Sequence, residues 1–136
     1  MEGVVLDTNV FVAAGFNAKS ASARILASIR ERHLQLVWNE PTRRETEFVL
    51  CRIPPLVWDK FADLFRPAAE FTGRVDPDHL VFIEDPDDRK FAALGAAAKV
   101  PLVTNDRHLL VHRNRVGFDV LTPPALLTRA GETPSS

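Results

Sequence analysis

The sequence contains one cysteine, Cys51. No disulfide can close within the chain, which fits a reducing compartment, and Cys51 itself reads as a packing residue. Long apolar runs are also missing. None approaches the roughly 18 residues that a membrane span requires, so no association with a membrane is expected. The first apolar run is broken at Asp7, so the opening does not read as a secretory leader, and the expected location is cytoplasmic. Nor is there an excess of positive charge. The net charge is −1, which excludes the global basicity of many nucleic-acid binders. A polyanionic partner would have to be met by basic residues gathered in one place. Low-complexity linkers and internal repeats are absent as well. A chain of 136 residues can bury a core without disulfides or structural metal. The expectation is one domain over residues 1–130, with 131–136 a frayed tail.

What the sequence does contain is a set of short apolar runs that end in acids. Val4-Val5-Leu6 is followed by Asp7, Thr8 and Asn9, then by Val10-Phe11-Val12. A short continuous run of this kind reads as a strand buried on both faces. Ser20–Arg32 carries Ala23, Ile25, Leu26 and Ile29 at helical spacing, and Leu34, Leu36, Val37 and Trp38 form a second strand. Pro41 opens a helix that ends before Pro54-Pro55. Leu56–Phe65 reads as an amphipathic helix, Phe71 as part of a short strand, and Val81-Phe82-Ile83 as a strand or extended run. An alanine-rich helix runs from Asp88 to Lys99. It is followed by a strand at 101–103, a short helix at Arg107–His112, a strand at Phe118–Leu121 and a last helix at Pro123–Thr128. Such alternation predicts an α/β fold, a three-layer α/β/α sandwich around a mainly parallel sheet.

In a parallel sheet the strand ends share one edge with the starts of the helices that follow them. Asp7 and Asp106 each end a strand, and Asp88 starts a helix after an apolar run. The three acids therefore converge. Each taken singly also suits a helix cap or turn. Converging carboxylates repel, and the usual outcomes are raised pKa values or a bound cation. Their hard oxygen ligands favour Mg²⁺ or Mn²⁺. Glu45 is the choice for a fourth acid, because it shares a helix face with Val49. Its rival Glu47 lies about 200° away around the helix. Asp85 is a candidate for an outer acid. His108 and His112 are spaced as in zinc helices, but no acid follows His108 and no third ligand is evident. An acidic site needs a basic rim, and candidates for it are Arg24, Arg43, Arg44, Arg89, Lys90 and Arg107. Of these, Arg43, Arg44 and Arg107 are the leading candidates for a rim that would attract a polyanion. Trp38, Trp58, Phe48, Phe61 and Phe65 read as core or as a dimer surface.

Three stretches, VVLDTNVFVAA, RRETEFVL and EDPDDRKFAALGAAAKVPLVTNDRHLL, occur in this order. With them the chain resembles the PIN-domain nucleases, the family of VapC-like toxin ribonucleases. The subgroup it resembles is one with an Asp-Pro-Asp-Asp turn. The resemblance implies a PIN-like fold and a metal-dependent endoribonuclease that leaves a 5′-phosphate and a 3′-hydroxyl. Catalytic and metal-binding acids would be Asp7, Glu45, Asp88 and Asp106, with Asn9, Thr104 and Asp85 in support. The cofactor would be Mg²⁺ or Mn²⁺. A neutralising antitoxin protein and a homodimer are further implications. Gly95 departs from the family, which more often has alanine there. Two competing readings remain. One is a non-catalytic PIN-like module that binds RNA or protein. The other is a phosphatase using Asp7 as nucleophile, which would need a second acid where Asn9 stands.

Overall fold

The computed structural model describes residues 2–76, 78–112 and 116–129. The expected tail at 131–136 lies outside the described residues. Four strands, β1 (Glu2–Leu6), β2 (Leu34–Leu36), β3 (Leu102–Val103) and β4 (Val120–Leu121), form one sheet in the order β2-β1-β3-β4. Every pairing is parallel, with Val4 opposite Leu36, Leu6 opposite Val103 and Leu102 opposite Val120. Among the described residues six α-helices accompany them: α1 (Thr8–Phe16), α2 (Ala21–Arg30), α3 (Glu40–Leu50), α4 (Pro86–Ala98) and α5 (Arg107–Leu110) between the strands, and α6 (Pro123–Arg129) after the last.

The apolar runs are buried on both faces because the sheet has a core on each side. Val4, Leu6 and Val103 point into one, with Ile25, Leu26 and Ile29 of α2 and Leu126 and Leu127 of α6. Val5 and Leu102 point into the other, with Phe91, Ala92, Ala93 and Leu94 of α4. This is the α/β/α sandwich expected from the sequence, with a four-strand, all-parallel sheet flanked by helices. The first core also holds the aromatic residues Phe11, Trp38, Phe61 and Phe65, with Phe11 and Phe65 stacked at 5.6 Å between ring centroids. Phe48, by contrast, is exposed, and so is Cys51, which overturns its reading as a packing residue.

Three expected elements differ. Val81-Phe82-Ile83 is a turn, because its carbonyls are satisfied by a side chain: the Arg89 guanidinium of α4 donates to the carbonyls of Val81, Ile83 and Glu84. Leu56–Phe65 is not an α-helix. It folds as two 3₁₀ turns, Trp58–Lys60 and Ala62–Leu64, which bring Phe61, Leu64 and Phe65 into the first core. Phe71 makes no strand; its N–H reaches the Trp38 carbonyl beside a single parallel bridge between Trp38 and Glu70. The glycine at 95 has a local reason, since a Cβ there would lie 2.8 Å from the Phe118 ring. No helix among the described residues is long and apolar enough to cross a membrane.

Candidate active site

Asp7 follows the last residue of β1 and stands at the N-cap of α1, yet its side chain does not cap that helix. The carboxylate turns to the neighbouring strand instead. Its Oδ2 accepts hydrogen bonds from Thr104 Oγ1 at 2.8 Å and from Asn9 Nδ2 at 3.1 Å. Thr104, fully buried after β3, is the hub. Its hydroxyl gives its one proton to Asp7 and accepts from the backbone N–H of Asp106 at 2.9 Å and from Asn9 Nδ2 at 3.3 Å. That uses the donor and both lone pairs of the hydroxyl. Asn9 closes the ring, its Oδ1 accepting from the Asn105 N–H at 3.0 Å.

The other two acids are set by helix starts. Asp106 is the N-cap of α5 and accepts the His108 N–H at 2.8 Å. Asp85 caps α4 by accepting from the Asp87 N–H, and Pro86 starts the helix, which leaves Asp88 in its first turn. Asp7, Asp88 and Asp106 each bring one carboxylate oxygen within 4.8 Å of the others. The electrostatic result is visible in two of them. Burial pushes the Asp7 carboxyl up to about 6, against the hydrogen bonds of Thr104 and Asn9, which favour the anion. Burial also pushes Asp88 up to about 7, with the charges of Asp7, Asp106 and Asp85 adding to it. An all-oxygen donor set under mutual repulsion suits a hard divalent cation, which would relieve both effects.

Glu45 is not among those three, but it lines a cavity of about 290 Å³ with Asp7, Asn9, Asp85 and Asp88. Its carboxylate faces Lys90 Nζ at 3.4 Å, and the same ammonium lies 3.3 Å from Asp87. Glu47 points elsewhere, bound to Arg43 at 2.6 Å. The Thr8 and Thr46 hydroxyls, buried and 3.1 Å apart, tie the start of α1 to α3 one residue from Glu45. Sequence reasoning did not reach that pair, because two isolated threonines carry no signal. Lys90 was legible only as a basic neighbour, not as the partner of Glu45. Among the rim candidates, Arg43 is engaged by both Glu40 and Glu47. Arg44 is 75% exposed and 3.4 Å from Glu40, whereas Arg107 is exposed beside Asp106.

The PIN domain family profile matches residues 3–108. Two solved structures share the fold. PAE2754 from Pyrobaculum aerophilum is 17% identical, with 96% of this chain and 97% of that one covered and a TM-score of 0.53. VapBC2 from Rickettsia felis, solved bound to a DNA fragment from their promoter, is 16% identical, with 88% and 96% covered and a TM-score of 0.55. No curated protein matches the chain. The profile match runs from β1 through α4 and β3 to the start of α5, well over half of the sequence, and on that ground the chain belongs to the PIN domain family.

Proposed function

We propose that this protein is a metal-dependent ribonuclease that hydrolyses RNA phosphodiester bonds, and that it serves as the toxin of a toxin–antitoxin pair in the cytoplasm. The observation that carries the reading is the buried Asp7 carboxylate, held by Thr104 and Asn9 against Asp88 and Asp106. Nothing in the packing of β1 requires a buried acid at its end, and its ionisation opposes folding. Membership of the PIN family and the fold shared with VapBC2 support the nuclease and toxin parts of the reading.

Asp7, Asp88 and Asp106 would hold Mg²⁺ or Mn²⁺, with Glu45 on the adjoining cavity wall. When bound there, such a cation would supply Lewis acidity to lower the pKa of a water and to offset charge on the phosphate. The chain's own groups set the geometry. Thr104 and Asn9 favour the anionic form of Asp7 and fix its orientation, and the Asp106 N–H is locked to the same hydroxyl. Lys90 compensates Glu45 and Asp87. Arg107 and Arg44 stand free enough to meet the RNA backbone, while Arg43 is largely occupied by its two glutamates. An antitoxin partner and a homodimer belong to the same reading.

The test is cleavage of an end-labelled single-stranded RNA with Mn²⁺, with Mg²⁺ and with EDTA, beside the Asp7→Asn variant. Cleavage that needs metal and disappears in the variant supports the reading. Equal cleavage by both proteins assigns the activity to a contaminant. Mn²⁺ binding without cleavage points to a different RNA substrate, and absence of both leaves the non-catalytic module as the better description.

A further inference from the structure

A second cavity, of about 480 Å³, opens beside the acid cluster. Asp88 and Asp106 form part of its wall, so it is continuous with the candidate metal centre. The rest of its lining lies outside the three-acid cluster. Ile83 and Val111 are apolar, and Val111 is 71% exposed. His108 and His112 contribute two imidazoles on the α5 side. The His112 ring is steadied edge-on against Phe82, with centroids 5.2 Å apart. Two carboxylates outside the cluster also line it: Asp85, which caps α4, and Glu84, from the turn tied down by Arg89.

Apolar surface, imidazole faces and outlying carboxylate acceptors suit a heteroaromatic ring with donors on its edge. Single-stranded RNA is commonly recognised by stacking splayed bases on such side chains and by hydrogen bonds to their edges. A volume near 480 Å³ is within the range of sites that hold a molecule of nucleoside size. Because the cavity shares the Asp88–Asp106 wall, the base next to a phosphate drawn to the cluster is within reach of it. An ionised carboxylate only accepts hydrogen bonds. Guanine presents N1–H and N2–H₂ side by side, whereas uracil presents one N–H. We propose that this cavity binds the base flanking the scissile phosphate and prefers guanine, with His108 and His112 as the stacking surface and Glu84 as the edge acceptor.

The proposal rests on the ribonuclease reading, and the experiment separates the two. Val111→Glu places a charge at the cavity mouth on an exposed position, where the cost to folding is small. Four single-stranded RNA oligomers that differ only in one central base (G, A, C or U) are cleaved by wild type and variant in Mn²⁺. Mn²⁺ binding is measured separately by electron paramagnetic resonance. The expected result is at least a tenfold preference for the guanine oligomer in wild type, lost in V111E with Mn²⁺ affinity unchanged. Wild-type cleavage without base preference, or a preference that survives V111E, overturns the proposal and leaves the ribonuclease reading intact. Should wild type neither bind Mn²⁺ nor cleave, the ribonuclease reading falls. The cavity is then judged by NMR titration with guanosine and with uridine. Guanosine shifting the His108 and His112 ring resonances in wild type but not in V111E supports the base site. No shift, or equal shifts with uridine, overturns it.

Discussion

Replacing Asp7 by asparagine is expected to make the metal-free protein more stable while removing its capacity for metal. Burial lifts the Asp7 carboxyl from 3.8 to about 6. A raised carboxyl binds its proton more tightly in the folded state than in the unfolded one. Its contribution to stability is therefore complete below the unfolded value and is lost as pH rises through about 6. At about 1.4 kcal/mol per unit, the ionised Asp7 opposes folding by up to about 3 kcal/mol at pH 8. Asparagine keeps an oxygen to accept from Thr104 and Asn9 and never carries the charge. Calorimetric melts in EDTA should show D7N melting roughly 5–10 °C above wild type at pH 8, with the gap closing towards pH 4. Saturating Mn²⁺ should raise the wild-type midpoint and leave that of D7N unmoved. A lower midpoint for D7N at pH 8, or the same gap at both pH values, would refute the argument that desolvated charge is what Asp7 brings to the fold.

Four further outcomes are expected. Mn²⁺ affinity should weaken as pH falls through the range from about 7 to about 6, where Asp88 and Asp7 take up protons; a flat titration profile over that range would contradict it. Thr104→Val removes a fully used hydroxyl and should cost about 1–3 kcal/mol in urea unfolding as well as weakening Mn²⁺ binding, both recovered by Thr104→Ser. Lys90→Met should tighten Mn²⁺ binding several-fold by releasing Glu45 from its cation, and unchanged affinity would argue that Glu45 takes no part. Arg107→Glu should lower RNA affinity and flatten its salt dependence by about one unit of slope, whereas Arg43→Glu should chiefly lower the melting midpoint by breaking pairs with Glu40 and Glu47.

The acids were legible because they interrupt apolar runs. A parallel strand buried on both faces has no room for a carboxylate, so Asp7 after Leu6 and Asp106 after Val103 announce an edge, and Asp88 follows from topology. The structure brings these three together; helix geometry favoured Glu45 over Glu47, and Glu45 lines a cavity with Asp7 and Asp88. The parts that were not legible depend on partners remote in sequence. Val81-Phe82-Ile83 has a strand's composition, but its carbonyls go to the Arg89 side chain in place of a ladder. Leu56–Phe65 has a helical pattern, but the aromatic cluster around Phe11 draws it into 3₁₀ turns. Cys51 sits past the end of α3 on the surface, where local pattern cannot see exposure. Arg43 looked available for RNA because ion pairs along one helix are invisible in a list of charges.

The bond between Thr104 and Asp7 joins residues 97 positions apart in the chain. The central strand that carries Asp7 is synthesised first, and the strand that locks it comes late. On a ribosome, the nascent polypeptide has no complete acid centre until Thr104 and Asp106 have emerged and β3 has docked beside β1. Under the ribonuclease reading, the transcript being translated is therefore protected from its own product during most of synthesis. On the same reading, chains terminated before Asp106 would be inert. The time left for a neutralising partner to engage begins only when the final third of the protein leaves the exit tunnel.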